Sequence, residues 1–76
     1  MSTITAHSDV RMHVVVNGEA VATRAITLAG LLDELGYAGF KIATALDGEF
    51  VAERHRAQTR LANGARIEIV APRQGG

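Results

Sequence analysis

The sequence predicts an α+β domain in which one helix crosses a mixed sheet of four to five strands. Three observations support this fold class. Asn17-Gly18 and Asp47-Gly48 each stand between β-rich segments, and such dipeptides favour the tight turns of antiparallel hairpins. Residues 27–35 carry leucines at helical spacing, and residues 66–70 alternate between charged and apolar side chains, as a half-buried strand does.

Composition limits the classes of function. A chain of 76 residues forms one small domain. It has no cysteine, so it forms no disulfide and no thiolate metal site, and thiol chemistry would have to come from a partner. Eight acidic and eight basic residues balance, which argues against nucleic acid and against an anionic membrane as partners. Without a membrane-length apolar run or a signal-peptide pattern, we expect a cytoplasmic protein.

The chain divides into three parts. Residues 1–11 are polar and lack periodicity, so we expect a disordered N-terminal extension. Residues 12–70 contain all the strand and helix patterns and form the folded domain. Residues 71–76 follow the last strand pattern and form a flexible C-terminal tail.

The first hairpin joins residues 12–16 to residues 19–24 through Asn17-Gly18. In the first strand, alternation places Val14 and Val16 on the inner face and His13 and Val15 on the opposite face. The first strand therefore offers one apolar face for the helix and a second face for solvent or a partner.

The helical segment begins after Thr27, whose hydroxyl can cap the first turn, and closes at Gly36, where a left-handed residue often ends a helix. A helix of two to three turns is too short to persist alone, so its leucine stripe must pack on the sheet. The stripe consists of Leu28, Leu31, Leu32 and Leu35.

The second half of the domain contains three strands. Residues 41–46 and 49–51 form a hairpin around Asp47-Gly48, and Asn63-Gly64 turns the chain into the last strand, residues 66–70. Residues 52–61 are polar and basic, and they form either a solvated loop with one irregular helical turn or a basic contact surface. The resulting order, β-β-α-β-β-β, is that of a β-grasp roll.

The last six residues form a segment that the folded body carries. Pro72 cannot donate to a sheet ladder, so pairing should stop near it. Gly75 and Gly76 lack Cβ atoms and can enter a passage too narrow for other residues. The tail therefore presents the terminal carboxylate to other proteins, although glycines at a disordered terminus also occur by chance.

No self-contained active site is apparent in the sequence. The glycines are scattered turn residues rather than a phosphate-binding loop, and the three histidines have no metal-ligand spacing. Asp33 and Glu34 are adjacent on the predicted helix, so their side chains diverge. The chain is therefore expected to act as a substrate or binding partner of other proteins, not as an enzyme.

Several segments of the chain together match one known family. They are VVVNGE (14–19), TLAGLLDELG (27–36), ATALDGEFV (43–51) and TRLANGARIEIV (59–70), followed by the terminal Gly75-Gly76. With these segments the chain resembles, from Met12 to Gly76, the ThiS family, the sulfur carriers of thiamine biosynthesis.

The resemblance implies a ubiquitin-like β-grasp fold and a carrier role. In that family an E1-like adenylyltransferase, ThiF, uses MgATP to adenylate the carboxylate that corresponds to Gly76. Sulfur, supplied through a cysteine desulfurase, converts the adenylate to a thiocarboxylate, and thiazole synthase, ThiG, accepts the sulfur. The carrier binds no cofactor itself and is monomeric when free.

Partner contacts are expected in two places. In the tail they involve Arg73, Gln74 and Gly75, and on the exposed sheet face they involve Val15 and Val70. Other functions remain open from the residues alone. These are a carrier of the molybdopterin-synthase small-subunit type, a ubiquitin-like modifier, and a β-grasp interaction module with an inert tail.

Overall fold

The structure is a computed structural model that describes residues 11–72. Residues 1–10 of the predicted extension and residues 73–76 of the predicted tail lie outside this range. The elements in chain order are β1 (Met12–Val16), β2 (Glu19–Thr23), α1 (Leu28–Glu34), β3 (Ala43–Leu46), β4 (Glu49–Val51), a 3₁₀ helix (Glu53–Gln58) and β5 (Arg66–Val70).

The strands form one sheet in the order β2-β1-β5-β3-β4. β1 and β5 run parallel, and the other neighbouring pairs run antiparallel. The last strand of the chain is therefore the central strand of the sheet. This mixed five-stranded sheet with one helix confirms the predicted β-grasp fold.

The predicted turns are present and have the backbone geometry that their residues favour. Asn17 and Gly18 have φ values of 49° and 87°, and Asp47 and Gly48 have values of 50° and 88°. Asparagine, aspartate and glycine tolerate this left-handed region better than other residues. These four residues therefore allow both hairpins to close in two-residue turns.

The residues that the sequence predicts to cap α1, Thr27 and Gly36, do so in the structure. The Thr27 side chain accepts a hydrogen bond from the Gly30 N–H at 3.1 Å. Gly36 has a φ of 89°, and the Tyr37 N–H donates to the Leu32 carbonyl at 2.9 Å, which closes a Schellman motif. The prediction for Leu35 is wrong: it is 36% exposed because it is the C-cap residue, beyond the last residue of α1.

The core lies between α1 and the inner face of the sheet. Its apolar side chains come from the helix, from β1 and β5, and from the segment before β5. They are Val14, Leu28, Leu31, Leu32, Leu61, Ala65, Ile67 and Ile69. The inward direction of Ile67 and Ile69, predicted from alternation, is confirmed by exposures of 1% and 7%.

Residues of both hairpin turns form hydrogen bonds with the backbone of β5. Asn17 Oδ1 accepts from the Ile69 N–H at 2.8 Å, and Asn17 Nδ2 donates to the Ile69 carbonyl at 3.2 Å. On the other side of the strand, Asp47 Oδ1 accepts from the Arg66 N–H at 2.9 Å, and the Asp47 N–H donates to the Arg66 carbonyl at 2.7 Å. Asn17 thus extends the hydrogen bonding between β1 and β5, and Asp47 extends that between β3 and β5.

We predict that Asn17→Gly lowers the free energy of unfolding by about 1–3 kcal/mol. The change leaves the Ile69 N–H and carbonyl without partners while it preserves the positive φ. Asn17→Ala should cost more, because alanine adds backbone strain at this φ. Urea unfolding followed by circular dichroism measures both values. A loss below about 0.5 kcal/mol in Asn17→Gly would show that the amide bonds contribute little.

Candidate functional site

The site consists of the surface around the point where the tail leaves the sheet. The last paired residues at this end are Ala43 in β3 and Val70 in β5. Pro72, two residues later, is exposed and has no N–H with which to continue the ladder. Gly76, Gly75, Gln74 and Arg73 lie outside the described residues.

The face of the sheet opposite α1, here called the outer sheet face, is largely apolar. The ladder places Val15 beside Ala20, Ala45 beside Phe50, and Ala43 beside Val70. These positions alternate with the buried positions of the same strands, so their side chains point away from the core. Arg66 and Glu68 of β5 are the charged residues in the middle of this face.

The two predicted contact residues on this face differ in position and exposure. Val15 is half-buried, whereas Val70 is 62% exposed. Val15 pairs with Arg66, and Val70 lies four residues further along β5, roughly 13 Å at about 3.3 Å per residue. The structure therefore brings both to one face but separates them along it, with Val70 at the end that leads into the tail.

Two exposed aromatic residues were not identified as site residues from the sequence. Phe50 is 72% exposed on the edge strand β4, and Phe40 is 65% exposed in the loop before β3. For Phe50 the sequence contains a signal. Strand alternation turns Phe50 to the face opposite that of Val51, and Val51 packs against the core. Phe40 follows a glycine-containing loop that has no periodic pattern, so the sequence offered no equivalent signal.

A groove of about 750 Å³ lies beside the root of the tail. It is bounded by α1, by residues 37–43, by the 3₁₀ helix and by Pro72; we call it the Pro72 groove. Leu32 and Ile42 provide apolar lining, while Lys41 and Arg56 contribute positive charge. The groove therefore offers both apolar and charged groups within reach of the tail.

Arg56 fixes the strand end that forms one side of this groove. Its Nη2 donates to the Ile42 carbonyl at 2.8 Å, and its Nε donates to Thr44 Oγ1 at 3.2 Å. Thr44 is buried, and its hydroxyl donates in turn to the Val51 carbonyl at 2.9 Å. Arg56 thereby connects the 3₁₀ helix to the start of β3, where the sheet meets the tail.

Among residues 11–72, no group of three histidine, aspartate or glutamate side chains could hold a metal ion. Glu34 accepts hydrogen bonds from the Thr23 hydroxyl and, at 3.3 Å, from the Arg24 N–H, whereas Asp33 is exposed. No helix within the described range is long and apolar enough to cross a membrane.

The comparison with known families identifies the chain. The model of the ThiS family matches residues 14–76, which include α1, the terminal Gly75-Gly76 and the sheet except for the first two residues of β1. The chain belongs to the ThiS family. Members of the ThiS family are small sulfur carrier proteins that interact with partner enzymes in thiamine biosynthesis, and they are not enzymes themselves.

A solved structure supports the same fold. The chain is similar to the thiamine biosynthesis protein ThiS from Geobacter metallireducens, with a TM-score of 0.73 and 23% sequence identity. The match covers 86% of this chain and 100% of the other. No curated protein matches this chain. At this identity the likeness shows the fold, and membership of the ThiS family rests on the family match.

We predict that Arg56→Ala lowers the free energy of unfolding by about 1–2 kcal/mol, because the Ile42 carbonyl and the Thr44 hydroxyl each lose a charged donor. Arg54→Ala is the matched control, since Arg54 is an exposed residue of the same 3₁₀ helix and should change stability by less than about 0.5 kcal/mol. Urea unfolding of both variants tests the difference. Equal effects of the two substitutions would contradict the structural role of Arg56.

Proposed function

We propose that this protein carries sulfur for thiazole formation in thiamine biosynthesis, with the Gly76 carboxylate as the group that is activated. One observation carries the proposal: the ThiS family match runs through the folded body to Gly76. The structure supports it because the strand that leads into this tail is the central strand of the sheet. Because the tail starts from a fixed strand, a partner that has bound the folded domain can reach the carboxylate.

The proposed chemistry follows from the weak electrophilicity of a carboxylate. A ThiF-type E1-like partner binds MgATP, and a Gly76 carboxylate oxygen attacks the α-phosphorus, which releases pyrophosphate and forms an acyl adenylate. A persulfide that a cysteine desulfurase supplies then attacks the carbonyl carbon through its terminal sulfur and releases AMP, and a thiol reductant cleaves the S–S bond of the resulting acyl disulfide. The product is a thiocarboxylate, from which a ThiG-type thiazole synthase takes the sulfur. The carrier supplies no catalytic group and needs no bound cofactor.

The tail residues have distinct proposed roles. Gly76 places no side chain beside the reacting carbon, and Gly75 lets the chain bend and enter a narrow nucleotide site. Arg73 and Gln74 offer a charge and an amide that partner groups can bind. Capture of a terminal carboxylate by backbone donors is a known recognition mode, so the partner can supply the remaining contacts.

The outer sheet face is the proposed docking surface for these partners. α1 and the core cover the inner face, so the outer face is the face of the sheet that a partner can contact. A contiguous apolar patch that stays exposed on a soluble protein marks a site of association, whereas single exposed apolar residues do not. Val70 and Phe50 provide exposed apolar area, and Val15 adds a half-buried contact at the opposite end.

We predict that incubation with a ThiF-type partner, MgATP and a sulfur source replaces one oxygen of the protein by sulfur. Intact-mass spectrometry detects this exchange, and deletion of Gly76 should abolish it because the activated carboxylate is displaced. Transfer to a ThiG-type synthase, but not to a molybdopterin-type acceptor, should follow. A folded protein whose mass never changes would favour an interaction module with an inert tail.

We predict that Val70→Asp weakens binding to the activating partner about tenfold or more, because a carboxylate would be desolvated in an apolar contact. Ile26→Asp is the matched control: Ile26 is 55% exposed but lies between β2 and α1, away from the outer sheet face. Titration calorimetry gives both dissociation constants. The same affinity for Val70→Asp and wild type would exclude this end of the face from the interface.

A further inference from the structure

β2 forms one edge of the sheet, and within residues 11–72 no further strand pairs with it. The direction of its backbone groups follows from the strands beside it. The Val15 N–H donates to the Ala65 carbonyl at 2.8 Å, in the segment that leads into β5. Because backbone groups alternate in direction along a strand, those of Val14 face β2, where Val14 pairs with Val21. Val21 therefore directs its own N–H and carbonyl into the sheet.

Ala20 and Ala22, on either side of Val21, direct their N–H and carbonyl groups away from the sheet. Both residues are exposed, and no described residue forms a hydrogen bond with these outward groups. Unpaired groups in a row along an edge are a template for another strand. The edge of β2 is therefore open to pairing.

The other edge of the sheet offers less for a strand to bind. β4 has three residues, and its pairing with β3 beside a two-residue turn leaves Phe50 as the residue whose backbone faces outward. Natural edge strands are often protected by lysine, proline or a bulge. β2 contains no lysine or proline, pairs with β1 without a bulge, and has its one charged residue, Glu19, at its start. β2 is thus the longer and less protected edge.

The exposed edge of β2 is complementary to itself. An antiparallel pair with a twofold axis at Val21 places Ala20 opposite Ala22 of the second copy, and the two alanines can exchange N–H···O bonds in both directions. A twofold contact uses the same surface on both copies, as this one does. The antiparallel direction also brings the Glu19 end of one strand to the Arg24 end of the other, whereas a parallel pair would align like charges.

Apolar surface beside the axis favours the same arrangement. Val21 is half-buried and lines a groove of about 360 Å³ with Val16, Leu35 and Tyr37. Leu35 in this groove is 36% exposed. With the axis at Val21, this side chain meets Val21 of the second copy at the mouth of the groove. Pairing therefore covers apolar surface that faces water in the single copy.

We propose that two copies of this protein pair along β2, antiparallel and with Val21 on the twofold axis, so that their sheets become continuous. A contact built on one strand buries less than the roughly 1,200 Å² typical of stable complexes, so the pair is weak and the dilute protein is monomeric. β2 and β4 lie at opposite edges of the sheet, so Phe50 and Val70 stay exposed in the pair. The contact does not depend on the sulfur carrier role.

Sedimentation velocity of the full-length protein between about 10 μM and about 1 mM tests the proposal, since these concentrations cover the dissociation constants of weak complexes. The weight-average sedimentation coefficient should rise from the monomer value toward that of a dimer. Amide resonances recorded over the same range should shift most at Ala20 and Ala22, because their N–H groups gain partners.

Ala22→Pro should raise the dissociation constant of the pair about tenfold or more. The substitution removes an outward N–H from each copy and leaves the bonds between β1 and β2 in place, since proline is tolerated where the N–H of an edge strand faces solvent. Phe50→Pro is the matched control, because it removes the outward N–H of the other edge. It should leave the dissociation constant unchanged.

The position of the axis has a test of its own. Val21→Lys and Val21→Glu should each prevent pairing, because like charges then stand directly opposite each other. An equimolar mixture of the two variants should restore pairing, because opposite charges then meet at the axis. An effect of Val21 on folding alone would not produce this restoration. Circular dichroism checks that each variant is folded.

Three results would overturn the proposal. The first is a wild-type protein that sediments as a monomer over the whole concentration range. The second is self-association that Ala22→Pro leaves unchanged or that Phe50→Pro abolishes, because another surface would then form the contact. The third is a mixture of folded Val21→Lys and Val21→Glu variants that remains monomeric. If the Val21 variants do not fold, Ala22→Pro and its control still decide between the outcomes.

Discussion

The fold depends on the two-sided binding of β5 by the hairpin turns. β1 and β3 both pair with β5 and do not pair with each other, so β5 joins the two hairpins into one sheet. The parallel contact with β1 is short, with Val15 opposite Arg66 and Val16 opposite Ile67. The side-chain amide of Asn17 lengthens it by binding both backbone groups of Ile69. Asn17, which favours the tight turn, thus also completes the hydrogen bonding between β1 and β5.

This constraint explains how a domain with a small core can hold the root of its tail in a defined place. The buried residues of β5, Ile67 and Ile69, belong to the core together with the leucines of α1, and Val70 follows directly on the outer sheet face. Arg56 holds the neighbouring start of β3 from the other side. The tail therefore begins at a fixed point that borders two surfaces, the outer sheet face and the Pro72 groove.

Features determined by neighbours in the chain could be predicted from the sequence, while features determined by distant residues could not. The Asn-Gly and Asp-Gly turns and the leucine stripe depend on neighbouring residues, so the sequence predicts both turns and α1. The prediction for Leu35 is wrong only because the helix ends before it. The insertion of β5 between the hairpins depends on pairings some fifty residues apart. Alternation placed Val15 and Val70 on one face, but only the register shows that they lie at opposite ends. The bonds of Arg56 and the exposure of Phe40 have no local signal either.

The central position of the last strand also has a consequence for biosynthesis. During translation the two hairpins emerge first, and neither can bury its inner face against the other because the strand between them is still missing. The sheet closes only when Arg66–Val70 has been made, a few residues before the end of the chain. A product that terminates before this strand exposes apolar surface and is open to proteolysis. Because the sheet needs this strand, a chain that has folded has already been translated as far as the root of its tail.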